Sequence, residues 1–278
     1  MARTVALALR RELVGLGGVV ERNWYLVKRY AIWEVTWFVW TVANTLTIVF
    51  IAKGVEASGG TLDVTRETTV LLIGAVIWSF LGILFEIITQ TVGWERWEGT
   101  IEYTFMAPLS RAVHLLGMGA FALIYGLIRT VLLFLVVASF FTLDLGQADF
   151  WAAFVILMIA SISFLGLGVM TAVFPLISPE KGMQLGFIAQ GMLLVVSGVY
   201  YSVDVLPGWM QVLAKISPAT YALDGIRKAI IDGAGVSDLW GDIWPLLVIG
   251  AVAIPLGLLI FNRGEVYAKR NGLLKRSG

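Results

Sequence analysis

The residues of this chain that could do chemistry are few, and most are carboxylates close to long apolar runs. One group is Trp94-Glu95-Arg96-Trp97-Glu98-Gly99-Thr100-Ile101-Glu102-Tyr103-Thr104-Phe105-Met106-Ala107-Pro108, a charged island between two apolar stretches. Glu34, Glu86 and His114 are the other acid or base candidates, and Arg129 interrupts an apolar run. Acid–base catalysis needs groups that converge within hydrogen-bond reach. These lie scattered near the ends of different runs, which argues against an intramembrane enzyme. The 278 residues include no cysteine, so disulfides, thiolate metal sites and cysteine nucleophiles are excluded. A single histidine, His114, removes most zinc and haem arrangements and the Ser-His-Asp triad. No Gly-Lys dipeptide occurs, so no Walker loop can cradle nucleotide phosphates and the chain cannot hydrolyse ATP by itself. Recognition, rather than catalysis, is what remains for the charged island.

Read as a helix, 94–108 puts Trp94, Trp97, Ile101 and Phe105 in one narrow stripe, with Glu95, Glu98 and Glu102 in a band beside it. Such an element can lie on a bundle through its tryptophans and offer carboxylates to a basic groove on a partner. Gly99 weakens the helix locally and Pro108 marks its end. The same pattern describes an ordinary interfacial loop helix with a solvated acidic face, and periodicity does not separate the two.

The elements that position these residues follow from composition. Hydrophobic residues make up 59% of the chain and charged residues 14%, with a mean hydropathy of +0.86. A soluble domain of this length needs far more charge to cover its surface, and several uncharged runs of about 18 or more residues qualify as spanning helices. The expected class is an all-α membrane protein with six transmembrane helices, at about 33–52, 68–92, 115–143, 150–177, 184–203 and 243–262. The third is long for a hydrocarbon core about 30 Å thick, and so tilts or projects. No clean signal peptide precedes them, because Arg10, Arg11, Glu12, Glu21 and Arg22 interrupt any apolar stretch. Over about 15–32, Val20, Trp24, Val27 and Ala31 share one helical face and Arg22 and Arg29 the opposite one. That fits a helix lying in the membrane interface; an ordinary cytosolic helix is the alternative.

Lysine and arginine orient the spans. Six in the N-terminal segment, two in 86–114, one in 178–183 and five in the tail make fourteen on one side. Two in 53–67 and three in 204–242 make five on the other, and the turn carrying Asp144 and Asp149 has none. The positive-inside rule therefore places both termini and the charged island in the cytoplasm. Ala57-Ser58-Gly59-Gly60, a faint echo of a nucleotide-domain signature, falls outside and loses that meaning.

Trp33, Trp37, Trp94, Trp97, Trp151, Trp209, Tyr200, Tyr201 and Trp244 fall near span ends, as aromatic belts require. Arg129 is placed mid-span, where a charge costs roughly 2.5–3.5 kcal/mol, so it lines a water-filled path or is held by carbonyls inside the bundle. At about 1.5 Å per residue, Glu86 lies about 10 Å and Arg129 over about 20 Å from the cytoplasmic ends, which argues against pairing them. Glu34, at the start of the first span, reads as an interfacial charge. Trp40 and Trp78 join Arg129 as candidates for lining a translocation path. In 204–242, Leu206-Pro207-Gly208 is a turn, and Met210, Val212, Leu213 and Ile216 are too apolar for a free loop. Pro218 opens a second piece carrying Tyr221, Leu223 and Ile226. A hairpin dipping into the outer leaflet fits, since broken backbone is tolerated there when protein covers it; it serves as an external gate or as a packed cap.

Glu95-Arg96-x-Glu98-Gly99-Thr100-x-Glu102, followed by Ala107-Pro108-Leu109-Ser110-Arg111, resembles the signature of the ABC-2 family of ABC-transporter permeases. In that family this cytoplasmic loop forms the coupling helix that docks in an ATPase subunit. Leu206-Pro207-Gly208-Trp209, then Ser217-Pro218-Ala219-Thr220-Tyr221-Ala222-Leu223-Asp224-Gly225-Ile226-Arg227, is similar to the family's external re-entrant hairpin. The resemblance covers nearly the whole chain in layout and implies one transmembrane domain over 1–278. It implies that Trp94, Glu95, Arg96, Trp97, Glu98, Thr100 and Glu102 dock a separate ATPase, which would hold ATP and magnesium while this chain binds no cofactor. Leu206, Pro207, Trp209, Pro218, Tyr221 and Arg227 would form the external gate. A second copy or sister permease would pair along the first and fifth spans. The implied activity is export across the plasma membrane of a drug-like or lipid cargo, or of a lipid-linked glycan or polysaccharide by the same architecture. An ion-coupled transporter would need mid-membrane carboxylates and repeat symmetry, and neither is found.

Overall fold

The computed structural model describes residues 2–57, 64–141 and 145–274, and within them every regular element is helical. Gly59-Gly60, Asp144 and the end of the basic tail lie outside the described residues. In chain order the helices are α1 (Ala2–Arg29), α2 (Ala31–Ala57), α3 (Val64–Glu98), α4 (Ile101–Met106), α5 (Arg111–Ala138), α6 (Phe150–Thr171), α7 (Val173–Ile177), α8 (Pro179–Val196), α9 (Gly208–Ala214), α10 (Pro218–Ile231) and α11 (Trp240–Arg270). Five stretches are long and apolar enough to cross a membrane: Ala31–Ile51, Arg66–Glu98, Arg111–Ala138, Phe150–Ile177 and Trp240–Arg270. The chain is a multi-pass membrane protein. The expected fifth span corresponds to α8, whose 18 residues carry Glu180, Lys181, Gln184 and Gln190. Those polar residues dilute its apolar character. Its helix ends at Val196, short of the expected 203, because Gly198 turns the backbone out at φ +68°.

Sequence-based boundaries differ from the observed ones for identifiable reasons. The fourth span is interrupted at Ala172 between α6 and α7. Pro175 has no N–H to return to the carbonyl of residue 171. Asp149 caps α6 by accepting from Ala152 N at 2.9 Å. The N-terminal helix begins at Ala2 rather than near 15, and passes through Tyr30 into α2 almost without a break, Tyr30 N donating to Leu26 O at 2.9 Å. Among its described side chains the buried ones are Val19 and Asn23, and Val19 lies against Gly117. Trp24 meets Phe121 and Tyr125 edge-on, with ring centroids 5.4 Å and 6.2 Å apart. The face expected to meet lipid is thus partly occupied by α5, and Arg22, expected on the solvent side, turns inward.

The main core gathers α3 (Phe80, Leu81, Leu84), α6 (Ile156, Ala160, Phe164), α10 (Ala222, Leu223, Ile226) and α11 (Ile243, Leu246). A second cluster, with Ile88, Val92, Ile101, Leu115, Leu176 and Phe261, closes the end that carries α4. Small residues let α6 and α11 approach closely, as membrane helices require in the absence of a hydrophobic drive between them. A Cβ on Gly166 would come within 2.6 Å of the Ala253 Cβ and 2.8 Å of its backbone carbon, and Ser163 Oγ donates to Leu246 O at 2.9 Å. Gly166→Val should therefore force the pair apart, at about 1–3 kcal/mol for an overpacked interior. A lowered melting midpoint of the purified protein in detergent checks it; an unchanged midpoint would mean that the crossing is slack.

Candidate functional site

The charged island is two pieces, not the single helix expected over 94–108. α3 runs on to Glu98 and closes with Gly99 at φ +75°, where Thr100 N donates to Glu95 O at 2.9 Å and Gly99 N to Arg96 O at 3.3 Å. This is the paired hydrogen bonding of a glycine-terminated helix. The helical register resets after Gly99, and α4 starts afresh with Ile101 buried and Tyr103 and Met106 exposed. Before the break, the inward stripe of α3 continues from Phe85, Ile88 and Val92 to Glu95, so the carboxylate faces the protein. The expected orientation is therefore reversed for Trp94, Trp97 and Glu95, whereas Ile101 inward and Glu98 and Glu102 outward lie as expected. Glu95 and Arg96 are buried and closed to a partner in this conformation, while Trp94 and Trp97 are 47% and 60% exposed. Glu98, Thr100 and Glu102 remain on the surface. Tyr103 and Met106, which complete the exposed patch, were legible only as the residues opposite Ile101 and Phe105 within α4.

Two ion-pair clusters brace this turn from behind. Glu95 Oε1 is 2.5 Å from Arg22 Nη2 of α1 and 3.6 Å from His114 Nε2 of α5, joining three helices through one buried carboxylate. On the other flank, Glu265 of α11 receives Arg111 Nε at 2.9 Å and Lys269 Nζ at 2.5 Å. Arg111 Nη2 also donates to Phe105 O at 2.7 Å, and its guanidinium lies 4.3 Å from the Phe105 ring centroid. Arg96 donates to the carbonyl of Leu273. Ser110 caps α5, accepting from Val113 N at 3.3 Å, while its hydroxyl donates to Glu12 at 3.1 Å. The turn is thus tied to α1, α5 and α11, none of which its own sequence names.

Between α1, α2, α3, α5 and α8 lies a cleft of about 820 Å³. Arg129, Trp40 and Trp78, singled out separately in the sequence, all line it, as do Trp33, Glu34, Trp37 and Glu86. Glu34 is no isolated interfacial charge: its Oε2 is 3.7 Å from Arg129 Nη1 and accepts the Tyr125 hydroxyl, which in turn receives Arg129 at 3.4 Å. Residue counting separates these levels. A long arginine stem carries its charge well away from its Cα, and tilt makes rise per residue a poor gauge of depth. Arg129 is held by side chains rather than carbonyls. Glu86 accepts from the Gln90 amide and makes no ion pair with Arg129.

At the opposite end of the bundle, the 204–242 connection consists of a 3-10 turn (Val203–Val205), α9 and α10, with α11 already begun at Trp240. Of the expected gate residues, Pro207 and Trp209 are exposed and Leu206 is half-buried beside them. Pro218 is buried at the start of α10. Tyr221 donates to Lys215 O at 2.8 Å, and Arg227 donates to the carbonyls of Gly198 and Val199 at 3.1 Å and 2.6 Å. Lys228 pairs with Asp242 at 2.7 Å. α10 is therefore an inner part of the core, whereas α9 shows Trp209, Val212 and Leu213 outward, and the turn after it Ile216.

A helical bundle of apolar spans, with a short braced helix after its second long span and a two-helix connection before its last, matches a family model described as ABC-2 type transporter over residues 19–231. The chain belongs to the ABC-2 type transporter family. It is similar to the linearmycin resistance permease protein LnrN of Bacillus subtilis, 30% identical over 107 residues that make up 38% of this chain and 28% of that protein. It is also similar to a protein named "Probable multidrug ABC transporter permease YbhR" in Escherichia coli, 24% identical over 185 residues, or 66% of this chain and 49% of that protein. The matched stretch spans half or less of the length of each of these relatives.

Proposed function

We propose that this chain is a transmembrane subunit of an ATP-driven exporter in the plasma membrane, with both termini cytoplasmic and a separate ATPase engaging the α3–α4 turn. The observation that carries this reading is the turn itself. Trp97, Glu98, Glu102, Tyr103 and Met106 form one exposed patch of mixed apolar and acidic character, on a backbone braced from three sides. Exposed aromatics beside unpaired carboxylates suit a groove with a hydrophobic floor and a basic rim. ATP and magnesium belong to that partner. α8 serves as the fifth of six spans. α2, with Ile32, Val35 and Val39 exposed, and α8, with Ile188 and Met192 exposed, offer apolar faces for a second copy or a sister permease. α9 and α10 form the external hairpin, α10 as its fixed root and α9 as its movable part. Relatives whose names carry linearmycin resistance and multidrug transport support an amphipathic or lipophilic cargo.

The test is assembly. Co-expressed with a stand-alone ATPase subunit encoded beside it, the chain should co-purify and stimulate ATP hydrolysis. Charge neutralisation at the exposed carboxylates, Glu98→Gln with Glu102→Gln, should reduce both at least tenfold while shifting the melting midpoint of the chain alone only slightly, since the 3.5 Å bond from Tyr30 to Glu98 is exposed and exposed substitutions shift stability by only about 0.5 kcal/mol. Undiminished assembly in that variant would remove the turn from the docking surface.

A further inference from the structure

The cleft's charges do not balance. Four carboxylates line it, Glu34, Glu86, Glu95 and Glu98, against two cations, Arg22 and Arg129. Both cations are committed: Arg22 lies 2.5 Å from Glu95, and Arg129 lies 3.7 Å from Glu34. Glu98 is at the cytoplasmic rim, 3.5 Å from the Tyr30 hydroxyl. Glu86 is different. It is half-buried in the wall, and the only side-chain hydrogen bond it makes among the described residues comes from the neutral Gln90 amide. The same cleft is lined by the indoles of Trp37 and Trp40 on α2 and of Trp78 on α3. An indole face attracts a cation through its quadrupole, more strongly than any other aromatic side chain.

These observations discriminate between occupants. A cleft of about 820 Å³ accommodates a drug-sized molecule, for which roughly 300–1,000 Å³ is usual. An anion would meet an excess of carboxylate with both arginines already paired. A neutral acyl chain would strip water from Glu86 and return nothing for it. A small inorganic cation would need several converging oxygens, and no group of three or more His, Cys, Asp or Glu that could hold a metal exists among the described residues. We infer that the cleft binds a lipophilic organic monocation, with Glu86 as its counter-charge and Trp37, Trp40 and Trp78 as its aromatic walls. This deepens the transporter reading by naming the chemical class of the cargo, and rests on that reading only in calling the ligand a cargo.

The experiment compares three probes of like shape on the full chain in nanodiscs: tetraphenylphosphonium, tetraphenylborate and triphenylphosphine oxide. Equilibrium dialysis against empty nanodiscs gives the saturable component. Tetraphenylphosphonium should bind saturably, and at least tenfold more tightly than either other probe. Glu86→Gln, nearly isosteric, should weaken it at least tenfold, and Trp40→Leu, at a more exposed position, severalfold. Glu180→Gln, exposed and outside the cleft, should leave it unchanged. Equal binding of the three probes, or full affinity in Glu86→Gln, overturns the assignment; should that variant not fold, full affinity in Trp40→Leu does so. No ATPase takes part, so failed docking at the α3–α4 turn and failed cation binding are separate results.

Discussion

Glu265→Ala should be among the most damaging single substitutions in this chain. Glu265 is 7% exposed and accepts from both Arg111 and Lys269. Arg111 is itself largely buried and is also the group that holds the carbonyl and ring of Phe105. Removing one partner of a buried pair leaves an uncompensated charge, which costs about 3–5 kcal/mol. Here the stranded charge is the one that fixes α4. The melting midpoint should fall, and backbone amides of Ile101–Met106 should exchange with solvent faster. The loss should be strongly non-additive: Arg111→Met combined with Glu265→Leu removes both charges and should recover most of the stability, because replacing a buried pair by apolar groups of similar volume is often close to neutral. A Glu265→Ala protein that melts like the parent would show that the pair contributes nothing.

The second large effect is an asymmetry. Arg22 and Glu95 form one ion pair, but their side chains are 37% and 5% exposed. Arg22→Ala strands a buried carboxylate, with His114 Nε2 3.6 Å away. Glu95→Gln strands a guanidinium that can swing to water on its long stem. The first should cost about 3 kcal/mol and the second about 1 kcal/mol. The double variant should resemble Glu95→Gln alone. Three melting curves decide this; equal losses for the two single variants would mean that Glu95 is better solvated than its burial indicates.

Much of the architecture was legible because apolar runs of spanning length have few alternatives. The errors have a common cause. Helical periodicity tells which residues share a face and not what that face meets. The stripe of Trp94 and Trp97 was real, yet the core lies on the side of Glu95, because α3 carries its inward row from Phe85 through Val92 straight into the charged segment. Arg22 was placed outward for the same reason. Gly99 was read as a soft spot in one helix, where a positive φ makes it the end of one and the prelude to another. Glu265 and Lys269 sit inconspicuously in a basic tail, and their i, i+4 spacing and the lone carboxylate in the last turns of a span are the signals that mark them. Arg129 with Glu34 lay beyond residue counting, since tilt and stem length both blur depth.

α3 is unbroken from Val64 to Glu98, with no proline along its 35 residues. At 1.5 Å per residue it is a rod of about 50 Å, unlike the fourth span, which is jointed at Ala172. A rod has no independent ends. If the bundle pivots it near its middle, close to Gly82, a 5° swing imposed at Glu98 displaces both tips by roughly 2 Å in opposite directions. The cleft wall at Trp78 and Glu86 lies near that fulcrum, where displacement is smallest and the applied torque is felt as rotation of the indole and carboxylate against α2. A push at the Glu98 tip would therefore turn the wall of the cleft more than it would move it.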